Sequence, residues 1–171
     1  ENIPLEKRTD ALSFLKSFNL KENKIKSGST ILVIGGGNSA IDAARSAKKL
    51  NALNKVIVSC IETENTMPAF AEEISHATDE NIKFIHDSFV ESCSAGKNGK
   101  ISVTLYSFGK KKFLKSFQCN YVITAIGQIS ETSLFDKIGN EKIDEQSRIK
   151  SKNSFTGYKN IFVAGDISSR N

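Results

Sequence analysis

Thr30-Ile31-Leu32-Val33-Ile34-Gly35-Gly36-Gly37-Asn38-Ser39-Ala40-Ile41-Asp42-Ala43-Ala44-Arg45 is the stretch that decides the fold. Ile31 to Ile34 is continuously apolar rather than alternating, the pattern of a strand covered on both faces. A glycine triplet follows at once, and then Ile41 to Leu50, where Ala43, Ala44 and Ala47 let a helix lie close against a sheet. The triplet supplies Gly35-x-Gly37-x-x-Ala40, with Gly36 inside it. Gly35 makes the tight turn without a side-chain penalty, Gly37 lets a diphosphate approach the backbone, and Ala40 lets the helix settle on the strand. The amides of Asn38, Ser39 and Ala40 then form an anion site at the positive end of the helix. Placed between a strand and a helix, the motif predicts dinucleotide binding. The phosphate loop of ATPases needs Gly-Lys-Ser/Thr, and Gly37-Asn38-Ser39 has no lysine.

Downstream, Lys55 to Cys60 reads as a second buried strand. Glu62 lies just past it, about 20 residues beyond the loop, where a carboxylate accepts hydrogen bonds from the adenosine ribose and repels a 2′-phosphate. On charge grounds this favours NAD over NADP. Glu64 is a nearby competitor for the role, and a solvated loop glutamate is the other reading of Glu62. A Met67-Pro68 loop, a helix from about Ala71 to Asp79 and a strand over Ile82 to Ile85 complete a βαβαβ order, which demands a parallel sheet. The texture then changes. Ser88 to Ser94, Ile101 to Phe108 and Phe113 to Cys119 alternate as an antiparallel meander, and Tyr121 to Ile126 returns to a buried strand. After Gly127 the chain is expected to be loop-rich until a last short strand, Asn160 to Ala164, that ends at Gly165-Asp166. Upstream, Leu12, Leu15 and Phe18 set a lead-in helix over Asp10 to Leu20, with Asp10 as N-cap.

Composition bounds the rest. The chain has 171 residues, 39% hydrophobic and 25% charged, enough for one ordinary domain with a real core. Its net charge of +5 comes mostly from Lys, spread along the chain, with Arg only at positions 8, 45, 148 and 170. Phosphate and base recognition favours Arg, so no nucleic-acid partner is expected. Lys110-Lys111-Lys112 sits beside a hairpin turn and reads as a solvated, aggregation-resisting feature. Cys60, Cys93 and Cys119 are widely spaced, with no CxxC, and His76 and His86 have no partners at ligand spacing. No metal site, dithiol pair or catalytic residue is assigned, and the thiols fit a reducing cytoplasm. The longest apolar run is four residues, so no membrane span is expected, and Glu1-Asn2-Ile3-Pro4 does not read as a signal peptide. The lack of an initiating Met suggests a fragment.

Four motifs in order carry a family resemblance: ILVIGGGNSAIDAAR at Ile31 to Arg45, Met67-Pro68-Ala69, TAIGQ at Thr124 to Gln128, and NIFVAGD at Asn160 to Asp166. Together they resemble the two-dinucleotide-binding flavoproteins, the pyridine nucleotide-disulfide oxidoreductase superfamily. Within it they look like the glutamate synthase small-subunit type, which includes the electron-entry domains of dihydropyrimidine dehydrogenase. The resemblance implies an α/β, Rossmann-like three-layer ββα domain over residues 29–127. Flanking it would be partial FAD-domain segments, a lead-in over 1–28 and a piece over 128–171. It implies that Gly35 to Ala40 hold the diphosphate of NAD(P), that Ala125, Ile126 and Gly127 line the nicotinamide side, and that Gly165 and Asp166 belong to the FAD site. Hydride would pass from nicotinamide to flavin, and electrons onward to an iron–sulfur domain or partner subunit outside this chain.

Departures matter as much. NADPH-using members carry paired arginines where this chain has Ile61-Glu62, which removes a 2′-phosphate clamp. The FAD domain's own glycine motif, a cysteine cluster and the CxxC of thioredoxin reductases are not in this sequence. The chain alone is therefore expected to hold FAD weakly and not to turn over. Two other readings stand beside this one: a non-enzymatic dinucleotide-sensing module and, with a poorer motif fit, an S-adenosylmethionine-dependent methyltransferase. Asp42 and Arg45, on one face of the first helix, are open to a cofactor, an interface or an ordinary surface role.

Overall fold

The computed structural model describes residues 3–127, 143–144, 148–158 and 160–168, the side chain of Asp166 excepted. The chain forms two compact units, Glu1–Gly127 and Gln128–Asn171. In the first, the elements run β1 (Arg8–Asp10), α1 (Ala11–Asn19), β2 (Thr30–Ile34), α2 (Asn38–Leu50), β3 (Lys55–Ser59), α3 (Ala71–Asp79) and β4 (Lys83–Ile85). The meander β5 (Ser88–Ala95), β6 (Ile101–Ser107) and β7 (Phe113–Cys119) follows, and β8 (Tyr121–Thr124) closes the unit.

Two sheets result. The parallel sheet has the order β1-β8-β2-β3-β4, and the antiparallel sheet the order β5-β6-β7. In β2, Ile31 and Val33 join the core under the helices, with Phe14 of α1, Ile41, Ala43, Ala44 and Ala47 of α2, and Ala77 of α3. Leu32 turns to the other face and joins Ile101, Val103 and Leu105 of β6 and Cys119 of β7. A parallel sheet covered by helices on one side and a meander on the other is the three-layer α/β arrangement, and it explains why β2 is apolar at successive positions. The meander is tied down at its turn: Asp87 accepts from Ser107 Oγ (2.7 Å) and from the Gly109 amide (2.8 Å), which holds its carboxyl below the usual range.

Three differences from the sequence expectations have physical causes. β1 is absent from the sequence reading because Arg8-Thr9-Asp10 carries no strand pattern. It forms because it lies in parallel register along β8, Arg8 opposite Val122 and Asp10 opposite Thr124. α2 begins at Asn38, three residues before the expected Ile41, because Gly37 serves as N-cap with extended backbone. β8 ends at Thr124, which leaves Ala125 and Ile126 in the following loop.

In the second unit, Ile149 bridges Ile143 and Ser168, and Phe155 bridges Lys152 and Phe162. The expected strand Asn160–Ala164 is not continuous. The Ile161 amide closes a turn on Tyr158 O, and only the Phe155–Phe162 bridge is laddered, through Val163 N to Ser154 O and Thr156 N to Ile161 O. Gly165 opens a 3-10 turn, Gly165–Ile167, at φ +77. The expected loop over 128–142 and Gln128 of TAIGQ lie outside the described residues.

Candidate functional site

The glycine loop joins β2 to α2, and each glycine sits against different matter. Gly35 has φ +133, and its amide donates to Ser59 O at 2.9 Å. A Cβ there would lie 2.8 Å from the carbonyl carbon of Ala125, so Gly35 is required by the close pass of the chain leaving β8. At Gly36 a Cβ would meet the Glu62 carboxylate, with Oε2 at 2.5 Å, and the Cβ of Cys60 at 3.2 Å. Gly37 is different again: φ is −86, and an added Cβ would have nothing within 4 Å. Neither backbone strain nor protein packing requires glycine at that position. Open space at the N-cap of a helix fits a bound anion.

The amides beneath that space differ in one respect from the sequence reading. The Ala40 amide donates to Gly37 O at 2.9 Å, so it is already used. Asn38 and Ser39 occupy the first two helical positions, whose amides have no partner inside the helix, and Gly37 offers no side-chain cap. The Asn38 side chain faces elsewhere: its Oδ1 accepts from the Phe70 amide at 2.9 Å, and the neighbouring Ala69 amide donates to Gly36 O at 3.2 Å. Two side-by-side bonds thus fasten the end of the β3–α3 connection to the glycine loop. That contact spans 32 residues, and nothing in the local sequence signals it.

Glu62 lies against the glycine loop. Its backbone carbonyl accepts from the Asp87 amide at 2.8 Å, and its carboxylate leans over Gly36. Glu62 Oε2 is buried and has no hydrogen-bond partner among the described residues. A buried carboxylate oxygen without a donor is costly, and the two hydroxyls of a ribose are the donors such a position would take. Open space at Gly37, two helix-end amides and an orphaned acceptor beside Gly36 therefore fit a dinucleotide.

Nearby, Cys60 Sγ lies 3.7 Å from His86 Nδ1. Burial first, and the Glu62 charge second, push its thiol up to about 11, so it is neutral at pH 7 and inert as a nucleophile. Arg45 does not reach this site. Its guanidinium pairs with Glu73 and Glu80, 2.8 Å to Glu80 Oε1, and fastens α3 to α2, while Asp42 is exposed. Ala125 abuts Gly35, and Ile126 and Gly127 continue from it, Gly127 at φ +101. Gly165 lies in the second unit, where a Cβ would meet nothing within 4 Å.

Among the described residues, no helix is long and apolar enough to cross a membrane. The chain is 26% identical over 168 residues to YgfK of Escherichia coli K12, an oxidoreductase by name, covering 92% of this chain and 16% of that protein. It is also 26% identical over 179 residues to the NADP(+)-dependent formate dehydrogenase subunit beta of Moorella thermoacetica, covering 91% and 24%. It thus spans about a sixth to a quarter of these relatives. Thioredoxin reductases share the fold: that of T. acidophilum at a TM-score of 0.74 and 22% identity, over 97% of this chain and 51% of that one. The Lactococcus lactis enzyme gives 0.73 and 20%, over 100% and 56%. The model of the pyridine nucleotide-disulphide oxidoreductase family matches residues 3–171, and the chain belongs to that family.

Proposed function

We propose that this chain is the pyridine-nucleotide-binding portion of a flavin-dependent oxidoreductase, with NADH as the preferred donor. One observation carries the reading: the buried, partnerless Glu62 Oε2 held against Gly36. In this assignment Asn38 and Ser39 hold the diphosphate by their amides, and the open side of Gly37 admits it. Glu62 accepts from the ribose hydroxyls and repels a 2′-phosphate. Ala125, Ile126 and Gly127 run along the nicotinamide side, and Gly165 and Asp166 contribute to the FAD site. When bound, the nicotinamide supplies hydride to the flavin. The residues of this chain bind and orient, and no acid or base among them is given a proton-transfer role.

The relative named as a formate dehydrogenase subunit supports a larger assembly, and we assign onward electron transfer to an iron–sulfur domain or partner subunit. That relative's name specifies NADP(+), whereas Glu62 argues for NAD in this chain. The family match lends no support to a methyltransferase. Titration of the protein with NADH and with NADPH tests the assignment. NADH should bind about tenfold or more tightly, the worth of a charge-assisted bond to ribose. Equal or reversed affinities would remove Glu62 from the role. The full-length protein should also copurify with a yellow flavin, and a colourless preparation would overturn the electron-transfer part.

A further inference from the structure

The β6–β7 end of the meander carries apolar and basic side chains that the core does not use. Along β6, Val103 and Leu105 turn to the core, so Tyr106, which alternates with them, stands on the outer face. Phe89 of β5 and Phe113 of β7 lie opposite Tyr106 in register, and the rings form a row with centroids 6.2 Å apart in both pairs. Lys111 Nζ rests on this cluster, 4.3 Å from the Phe108 centroid and 4.9 Å from that of Phe89. The turn that presents these groups is held fast. Besides the two bonds to the Asp87 carboxylate, the Phe108 amide donates to Asp87 O and the Ser107 amide to Lys112 O, both at 2.8 Å. In β7 the alternation of buried and exposed residues fails: Phe113, Leu114, Lys115 and Ser116 are all exposed, Phe113 at 62% and Leu114 at 45%. That half of β7 is covered on neither face. Among the described residues β7 also pairs with β6 alone, which leaves its other edge free. The stretch Phe108–Lys115 holds four lysines and no acidic residue. None of the four makes an ion pair among the described residues.

We infer that the free edge of β7 takes an extended acidic segment of a partner protein, added beside Phe113–Cys119 as a further strand. An exposed edge strand offers unpaired backbone groups to any extended chain, and charge decides which chain is admitted. Lys112 and Lys115 flank the uncovered half of β7, so a second copy of this chain, pairing edge to edge, would bring lysine against lysine. A segment with Glu or Asp at alternate positions would instead set carboxylates on those lysines, while its apolar residues covered Phe113 and Leu114. In this reading the same lysines exclude like strands and admit one of opposite charge. The fixed turn favours pairing, because an edge already held in its bound shape loses little freedom. Nucleic acid fits less well. Bases stack on open ring faces, and Lys111 already lies over Phe89 and Phe108. The cations are also all Lys, which lacks the fork that grips phosphate. Nothing in this docking requires a bound nucleotide.

The test titrates the protein with two synthetic peptides, one alternating Glu and Val and one alternating Lys and Val, and follows the backbone amides by NMR. Wild type should bind the Glu–Val peptide, with shifts and slowed hydrogen exchange at the amides of Phe113 to Cys119, and should not bind the Lys–Val peptide. Raising NaCl from about 0.05 M to about 0.5 M should weaken the Glu–Val complex about tenfold or more. The double substitution Lys112→Glu and Lys115→Glu changes two exposed side chains, so the thermal midpoint should stay at the wild-type value. It should weaken the Glu–Val peptide by about tenfold or more and confer binding of the Lys–Val peptide. Leu114→Ser should weaken the Glu–Val peptide by about 2- to 10-fold. The docking is overturned if wild type does not bind the Glu–Val peptide, if it binds with the β7 amides unmoved, or if the double variant treats both peptides as wild type does. Tighter binding of a thymidine oligonucleotide, or of phosphatidylserine vesicles, than of the Glu–Val peptide would also overturn it, by giving the lysines to nucleic acid or to a membrane surface. Should the double variant fail to fold, the amide shifts and salt dependence of wild type decide alone.

Discussion

Replacing Gly35 and Gly37 separately by alanine should split stability from binding. At Gly35 the new methyl carbon would lie 2.8 Å from the Ala125 carbonyl carbon, with the backbone held at φ +133. Forcing an L-residue into that conformation costs about 1–3 kcal/mol, and pushing a methyl into packed backbone costs about another 1–3 kcal/mol. The sum is about 2–6 kcal/mol, against a total stability on the order of 5–15 kcal/mol for a domain. For a chain of this size the thermal midpoint of the first unit should fall by roughly 5–20 °C. At Gly37 nothing lies within 4 Å of the added carbon and φ is already ordinary, so stability should move by no more than about 1 kcal/mol. The same methyl would stand in the open space at the helix N-cap, where the proposed function puts the diphosphate. Loss of one charge-assisted bond there corresponds to about a tenfold to hundredfold weaker NADH binding. Calorimetric melting and NADH titration of the two variants read both axes. A Gly37→Ala protein that binds NADH like wild type, or a Gly35→Ala protein that melts with wild type, refutes the division of labour between the two glycines.

Three further outcomes are expected. Glu62→Gln removes the charge but keeps the shape, so NADH should weaken by about tenfold while NADPH holds or improves; competitive titration of the two nucleotides reads the narrowed ratio. Arg45→Met leaves Glu73 and Glu80 facing each other without their cation, which should cost about 1–3 kcal/mol in urea unfolding while NADH still binds to the folded protein. Asp10→Ala should cost about 1 kcal/mol, because the Asp10 carboxylate caps α1 by accepting from the Ser13 amide at 2.9 Å. Hydrogen bonding from the Ser13 side chain first, and from that amide second, holds the Asp10 carboxyl below its ordinary 3.8, so the contribution is present above about pH 4 and is lost as pH falls through the lower folded value. The difference between wild type and Asp10→Ala in thermal melts should therefore shrink toward zero below pH 4.

Local signals in the sequence were enough where the structure is built locally. Asp10 capping the lead-in helix, the glycine turn between a buried strand and an alanine-rich helix, and the alternating meander all depend on neighbours within a few residues. The features that sequence reading missed depend on distant partners. β1 is three polar residues that become a strand only because β8 offers unpaired backbone groups along its edge. Arg45 finds its carboxylates 35 and 28 residues away, so its place with Asp42 on one helix face carried no information about its use. The Ala40 amide looked free from its place in the motif, yet the first turn of α2 tightens and spends it on Gly37.

The polarity of the sheet explains why residues so far apart in sequence converge. β8, β2 and β3 are adjacent and parallel, so all three end at the same edge. The amide of Gly35 bonds the last residue of β3, and the amide of Ala125 bonds Ile34, the last of β2, at 2.7 Å. These two bonds keep the strand ends level while the three chains leave in different directions. β2 turns into a helix, whose first amides are the ones proposed to take the diphosphate. β3 runs into the connection that brings Glu62 back over Gly36, and β8 continues as the loop that Gly35 must be small enough to admit. A side chain at Gly35 would therefore disturb all three exits together, whereas a Cβ at Gly37 would meet no protein atom within 4 Å. In the function proposed above, selectivity between NAD and NADP is assigned to the β3 exit, where substitution at Ile61 and Glu62 would change it without any adjustment of the sheet.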